Sequence, residues 1–330
     1  MGIRWGFLGR AAKPTGGDYL LAHLEDITGQ PPVEVHGELT FTDEIAVLVY
    51  RFEEPLPHYL FVTYGLSGTR SSAPTAGTQG ELTLRAPAVA EGAPERWPVD
   101  RLRRLARYRR ASGNPIEPGH YMDLRAPVAE GASLTGFIFV ADPIVPLLSA
   151  PTGRVRFIDA VPVTEDELDA ALRWDPLKFA GLLGERLPLG IGPHDRASSL
   201  IDATFAHPLT SLTKRDGSSI AAVSSSYFTV DASGRIDLTT HTAVHLLRAM
   251  TWRLGYERPF AVVGDDAWAR FVPAHSPAVA FGDDPDSGPH LTVSVDRTLR
   301  HEFLAVLDTA PGAYRLTTAP LAIHVIDPAR

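Results

Sequence analysis

The chain has 330 residues, 44% of them hydrophobic and 21% charged, with 31 lysines and arginines against 39 aspartates and glutamates for a net charge of −8. That length exceeds what one hydrophobic core usually fills, so two lobes are expected, and the acidic balance argues against nucleic-acid or membrane-surface binding. Cysteine is absent, which excludes disulfides, thiolate catalysis and cysteine-ligated zinc or iron–sulfur sites and is compatible with the cytoplasm.

The N-terminal "IRWGFLG" is too short and interrupted for a signal peptide, and no apolar run is long enough to span a membrane. The only lysines are Lys13, Lys178 and Lys214; with so much Ala, Pro and Gly, this usage suggests a GC-rich bacterial genome. "GGDYLLAHLEDITGQPP" predicts a short helix with Asp18 as its cap, Leu20, Leu21, Leu24 and Ile27 on one side, and Gly29, Pro31 and Pro32 as its stop. Strands follow in "VEVHGELTF" and "IAVLVYRFEEP", which flank the turn-like "TDE", then in "YLFVTYG" and "GELTLRA". "RWPVDRLRRLARYRR" changes to a helical period, with Pro98 in the first turn and Leu102, Leu105 and Ala106 as the apolar stripe. "SLTGFIFVADP" and "GRVRFIDAVPV" return to strands, and Thr164 with Glu167 forms a capping-box pattern for "TEDELDAALRW".

The Pro- and Gly-rich "ERLPLGIGPHD" marks a boundary, dividing the chain into lobes 1–186 and 187–330. Beyond it come "SLIDATF", "SSIAAVSSSYFTVD" and "RIDLTT", a helix through "AVHLLRAMTWRLG", strands "FAVVG" and "HLTVSVD", the helix "RTLRHEFLAVLD" and a closing strand "LAIHVID". The fold class is therefore α+β, two lobes, each a mixed, largely antiparallel sheet with packed helices.

Chemical motifs are sparse. His241 and His245 have the i, i+4 spacing of zinc ligands, but the interior Glu of the usual motif is missing, so they read as packing or surface histidines. "GDDPDSGP" gathers Asp283, Asp284 and Asp286, yet Pro285 and the lack of a downstream Glu make it a turn rather than a calcium loop. Six arginines crowd the helix "RLRRLARYRR", as a solvated face paired with acids or as a site for a carboxylate-rich or phosphate-bearing partner. No phosphate loop, GxSxG elbow or local triad pattern is present.

"YGLS" at 64–67, "GELTLR" at 80–85, "WP" followed by "LARY" up to Tyr108, "GH" at 119–120, "ADP" at 141–143 and "GRVRFIDAVPVTEDEL" at 153–168, in this order and spacing, resemble the N-terminal domain of the suppressor of fused family. "DGSSIAAVSS", "RIDLTTHTAVHLLRAMTWRLGYERPF" and "GPHLTVSVDRTLRHEFLAVLD" resemble its C-terminal lobe more weakly, so the likeness runs from about residue 30 onward. The resemblance implies a non-enzymatic protein without a cofactor whose partner is a protein or peptide. In the animal members two lobes close on a short peptide, which adds as a strand between them and so sequesters a transcription factor. Carried onto this chain, the partner-binding residues are Tyr108 and His120 in the first lobe and Arg235, Ile236, Asp237, Leu238 and Thr239 in the second. The family's peptide-binding aspartate is missing, since Gly119 is followed directly by His120, and the short "TVDASG" replaces the long insert of the animal proteins. Bacterial relatives resemble antidotes to secreted toxins, which sets the expected role of immunity protein. The strand "RIDLT" is expected to keep one edge open for a peptide, and "YGLS" to mark architecture. The competing reading is a hydrolase or small-ligand-binding enzyme with an unrecognised site.

Overall fold

The computed structural model describes residues 15–39, 45–68, 78–88, 92–286 and 288–327. The expected turn "TDE", the segment "IRWGFLG" and residues 69–77 lie outside them. By its internal contacts the chain forms two compact units, Met1–Leu168 with Ala180–Ser199 and Asp169–Phe179 with Leu200–Arg330.

The first unit opens with α1 (Gly16–Thr28). Its cap is Thr15 rather than Asp18: the Thr15 hydroxyl accepts the Asp18 N–H, and the Asp18 carboxylate accepts the Thr15 N–H, a reciprocal capping box. Gly29 ends the helix at φ 66°. Then follow β1 (Glu34–His36), β2 (Ala46–Phe52), β3 (His58–Tyr64), β4 (Thr78–Pro87), α2 (Trp97–Ser112), β5 (Tyr121–Asp123), β6 (Leu134–Ala141), β7 (Leu148–Ala150) and β8 (Gly153–Thr164). The strands form one sheet in the order β1-β2-β3-β4-β8-β6-β5, with β7 also on β8. Only β4 and β8 run parallel. Every residue of β3 is buried because the sheet is covered on both faces. Val47, Val49, Phe61, Leu82 and Leu84 pack with Leu102, Leu105 and Ala106 of α2. Leu48, Tyr50, Leu60, Val62 and Phe157 pack with Leu20 and Leu24 of α1.

Two helices follow, α3 (Glu165–Arg173) and α4 (Pro176–Gly184). The sequence boundary at 186/187 falls inside Ala180–Ser199, which groups with the first unit. One of its glycines serves a tight fit. Gly190, at φ 70°, lies where a Cβ would stand 2.7 Å from Val161. Arg196 then grips fully buried Glu167 with two hydrogen bonds, at 2.7 and 2.6 Å, while the Ser199 and Thr164 N–H groups donate to the same carboxylate.

The second unit contains α5 (Ala203–Asp216), β9 (Ala222–Ser224), β10 (Phe228–Val230), β11 (Arg235–Thr239), α6 (Thr240–Trp252), β12 (Phe260–Val263), β13 (Trp268–Pro273), β14 (Ala278–Asp284), β15 (Gly288–Val295), α7 (Arg297–Val306), β16 (Gly312–Leu316) and β17 (Leu321–Ile326). One sheet has the order β10-β11-β17-β16, the other β14-β15-β13-β12-β9, and both mix parallel and antiparallel pairs. Ile236, Leu238, Leu246, Met250, Phe271, Leu291, Phe303 and Ile323 belong to one core. The "SLIDATF" stretch leads into α5, whose start is fixed by Asp202 accepting the Thr204 N–H at 2.8 Å.

Candidate functional site

The first unit's motifs meet around two buried charges. At the end of β3 the chain turns at Gly65, φ 103°, and wraps the fully buried carboxylate of Glu81. Thr63 and Ser67 donate hydroxyls at 2.6 Å, and the N–H groups of Gly65, Leu66 and Ser67 donate at 3.0, 3.2 and 2.9 Å. Three successive N–H groups closing on one anion form a backbone nest. "YGLS" and "GELTLR" are thus two halves of one buried contact, and that gives "YGLS" an architectural role.

Arg85, further along β4, lies 2.8 Å from Asp142 and 3.1 Å from Asp159, and all three side chains are sealed from solvent. Thr83 donates to Asp142, and the Ile144 and Val145 N–H groups add bonds at 2.9 and 2.8 Å. Burial acts to raise Asp142, but Arg85 and these donors outweigh it and hold the group below the usual carboxylate range. Asp159 has fewer donors. Burial, opposed by Arg85 and reinforced by the Asp142 charge, pushes it up to about 6. "GELTLR", "ADP" and "RFIDAVPV" therefore converge on a closed charge cluster, whose members substrate cannot reach.

The arginine-rich helix has a structural use that neither sequence reading anticipated. Arg109 donates to the Gly80 carbonyl at 2.7 Å and Arg110 to the Gly65 carbonyl at 3.0 Å, so α2 clamps both chain segments that make the Glu81 contact. Arg101 donates to the Val128 and Pro127 carbonyls at 2.8 and 2.9 Å. Tyr108 lies beside these anchors and is 44% exposed, outside the core, with Arg104 and Arg107 exposed near it. His120 is exposed in a turn pinned to β6: the Gly119 N–H donates to the Phe139 carbonyl and the Phe139 N–H to the His120 carbonyl. No hydrogen bond, ion pair or ring contact joins Tyr108 to His120.

The expected open edge of "RIDLT" is corrected by the pairing. All five residues of β11 pair with Ala322–Ile326 of β17, and Ile236, Asp237 and Leu238 pair with β10 on the other side. The alternation read as one wet and one dry face holds: Ile236 and Leu238 are fully buried, Arg235 is exposed and Asp237 partly so. Alternation reports faces, however, and says nothing about edges. Thr239 is buried as the cap of α6. Only Arg235 and Asp237, joined to each other by two hydrogen bonds at 2.7 and 3.0 Å, offer side chains to a partner.

His241 and His245 stack edge to face with ring centroids 4.6 Å apart, and Arg248 contacts His245. Among the described residues, no group of three or more His, Asp or Glu is placed to hold a metal ion. Asp283 and Asp284 end β14 at its turn into β15, as the turn reading expected. A cavity of about 240 Å³ in the second unit is lined mainly by apolar side chains, among them Leu200, Ala206, Leu209 and Trp252, with Arg173 as its one charged lining residue. No described helix is long and apolar enough to cross a membrane.

A two-unit α+β fold of this kind has solved relatives. Residues 42–195 match the family model described as Suppressor of fused protein (SUFU). The Suppressor of fused homologs of Homo sapiens and Mus musculus are each 29% identical over 147 residues, or 41% of this chain. The match spans 30% of those relatives' length. The crystal structure of Drosophila Suppressor of Fused superposes with a TM-score of 0.71 at 17% identity, covering 96% of this chain and 98% of that one. A chain of the Sufu-Fu complex crystal structure gives 0.53 at 22% identity, covering 60% and 97%. At such identities the superpositions establish a shared α+β fold.

Proposed function

We propose that this protein is a non-enzymatic binding module that sequesters a protein partner by holding a short segment of it. The observation that carries the reading is Tyr108, a large aromatic left 44% exposed on a helix whose neighbouring arginines are fixed to backbone carbonyls. An amphipathic ring on a rigid support gives contact area with little loss of conformational freedom, as at interaction hot spots. The relative solved as a Sufu-Fu complex gives the analogy for partner binding. The shifted carboxyls that would otherwise suggest catalysis, Asp159 raised and Glu167 lowered, are sealed beside arginines, which favours a structural role for them.

Within this reading the contact residues are Tyr108 and His120 of the first unit and Arg235 and Asp237 of the second. The backbone of β11 is already paired, so its contribution is charge rather than strand addition. The setting we propose is a bacterial cytoplasm in which the chain neutralises a toxin made from a flanking gene. The test is to co-express that gene product with the chain. Relief of growth arrest, together with co-elution, supports the role. Tyr108→Phe and Arg235→Glu should each weaken the complex about tenfold while leaving the melting temperature unchanged. Failure to form a complex with the flanking product defeats the antidote role, and a complex insensitive to both variants defeats the assigned surface.

A further inference from the structure

The outer edge of β14 has a different character from the other sheet edges among the described residues. Among the described residues, the edge strands β1, β5, β9 and β10 are three residues long, as is β7 on β8, and the five-residue β16 carries Arg315. Short length and charge are the usual means of keeping an edge from pairing with another chain. β14 has seven residues, and its first five, Ala-Val-Ala-Phe-Gly, carry neither a charge nor a proline. One side pairs with β15 along its whole length; the other has no strand on it among the described residues.

The two faces of this strand are also unequal. Val279 and Phe281 sit opposite Val293 and Leu291 of the core, yet Phe281 remains 40% exposed. On the other face Ala278, Ala280 and Gly282 present almost no side chain, so a neighbouring strand could place bulky groups there. The His290 ring lies against Gly282, where a Cβ would stand 2.4 Å from it, and stacks on Trp268 at 4.3 Å. Both faces finish in a carboxylate, Asp283 on the core side and Asp284 on the other, with Asp286 just beyond. All three are exposed and make no ion pair among the described residues.

We infer that β14 is a docking edge for an extended basic peptide, which adds as a sixth strand to this sheet. Its backbone groups pair with the free edge, an apolar side chain covers Phe281, and Lys or Arg at one end meets Asp283 and Asp284. Charge decides against a second copy as the occupant. Antiparallel self-pairing centred on Phe281 sets Asp283 against Val279 and Asp284 against Ala278, leaving four carboxylates without counter-charge between chains of net charge −8. β14 contains none of Tyr108, His120, Arg235 and Asp237, so this inference does not depend on the function proposed above.

The test pans a random octapeptide display library on the full chain at low salt, with counter-selection on Ala280→Lys, which adds the missing edge charge at an exposed position. The inference expects enriched peptides that alternate β-branched or aromatic residues with others and carry Lys or Arg towards one end. A synthetic copy of such a peptide should slow amide exchange at 278–284, bind Ala280→Lys about tenfold more weakly, and lose its salt dependence with Asp283→Asn/Asp284→Asn. Melting curves of the variants matching the parent show that the fold is kept. No enrichment over the counter-selected variant, neutral or acidic winners, or protection elsewhere in the chain overturns the inference. So does a dimer in the parent that Ala280→Lys dissociates, because the edge would then belong to a second copy.

Discussion

Ser67 gives one oxygen of Glu81 two hydrogen bonds, from its backbone N–H at 2.9 Å and its hydroxyl at 2.6 Å. With Thr63, Gly65 and Leu66 completing the shell, the buried carboxylate is the template on which the chain turns out of β3. Glu81→Gln keeps the size but swaps one acceptor for an amide that can only donate, and either orientation of that amide faces donors. The expected loss of unfolding free energy is about 3 kcal/mol, read from urea midpoints. Ser67→Ala, which retains the backbone donors, should cost about 1 kcal/mol. A Gln variant as stable as its parent would show that the loop holds its shape without the charge.

Asp159 makes a prediction about pH. Its folded-state value of about 6 lies above the ordinary 3.8, so the folded chain binds this proton more tightly than the unfolded chain does. The stabilisation is therefore complete below about pH 4 and is lost as the pH rises through about 6. Asp159→Asn removes the titration, so its stability relative to the parent should rise between pH 4 and 6 and then level off. Asp142→Asn acts in the opposite sense, because it takes away the carboxylate that stays ionised beside Arg85. Denaturation series at several pH values separate the two; parallel curves for parent and Asp159→Asn would place the titration elsewhere.

Glu167 and Arg196 hold Ala180–Ser199 in place. Burial favours the neutral acid, but hydrogen bonds and charge from Arg196, with the Ser199 and Thr164 N–H groups, keep Glu167 below the usual range. A depressed value contributes stability above the unfolded pKa, and that stability is lost as pH falls through the folded one. Arg196→Ala leaves a buried, uncompensated carboxylate and should lower stability by about 3 to 5 kcal/mol at neutral pH, with the gap to the parent closing in acid. Lysine should not rescue it, since one ammonium cannot reproduce the two parallel bonds. Limited proteolysis should then cut within 188–199 first. An unchanged cleavage pattern would mean that the Gly190–Val161 contact suffices.

Much of the fold was legible because its periodicities are strong. β3 and β8 are near-continuous apolar runs, and the stripe of Leu102, Leu105 and Ala106 lies on the buried side of α2 as the spacing required. The capping box of Thr164 and Glu167 was half right: Glu167 does accept the Thr164 N–H, but the Thr164 hydroxyl turns to Asp166 and the Glu carboxylate reaches on to Arg196. That second contact spans 29 residues, beyond any local rule. The same holds for Glu81 and Arg85, whose partners at 65–67, 142 and 159 are named by no spacing pattern. α5 was hidden by Pro208 inside it. At the candidate site the alternating faces of β11 were legible, while its pairing on both edges depended on β10 and β17, the latter more than 80 residues away.

Asp237 faces Thr229 on β10 and His324 on β17, and this position tells backbone from side chain in β11. Proline there removes an N–H from a strand flanked on both sides and brings a ring into a ladder position that proline seldom occupies away from edges. The loss should reach about 3 kcal/mol or more, appearing as a lower melting temperature of the second unit, because Ile236 and Leu238 on either side lie in its core. Asp237→Ala keeps the backbone and removes only side-chain contacts, the pair with half-exposed Arg235 and the longer one with His324 at 3.6 Å. That variant should melt with the parent and act solely on partner binding. If proline at 237 left folding intact and abolished the partner, β11 would have to open an edge on binding. Strand addition at "RIDLT" would then replace the side-chain contact argued above.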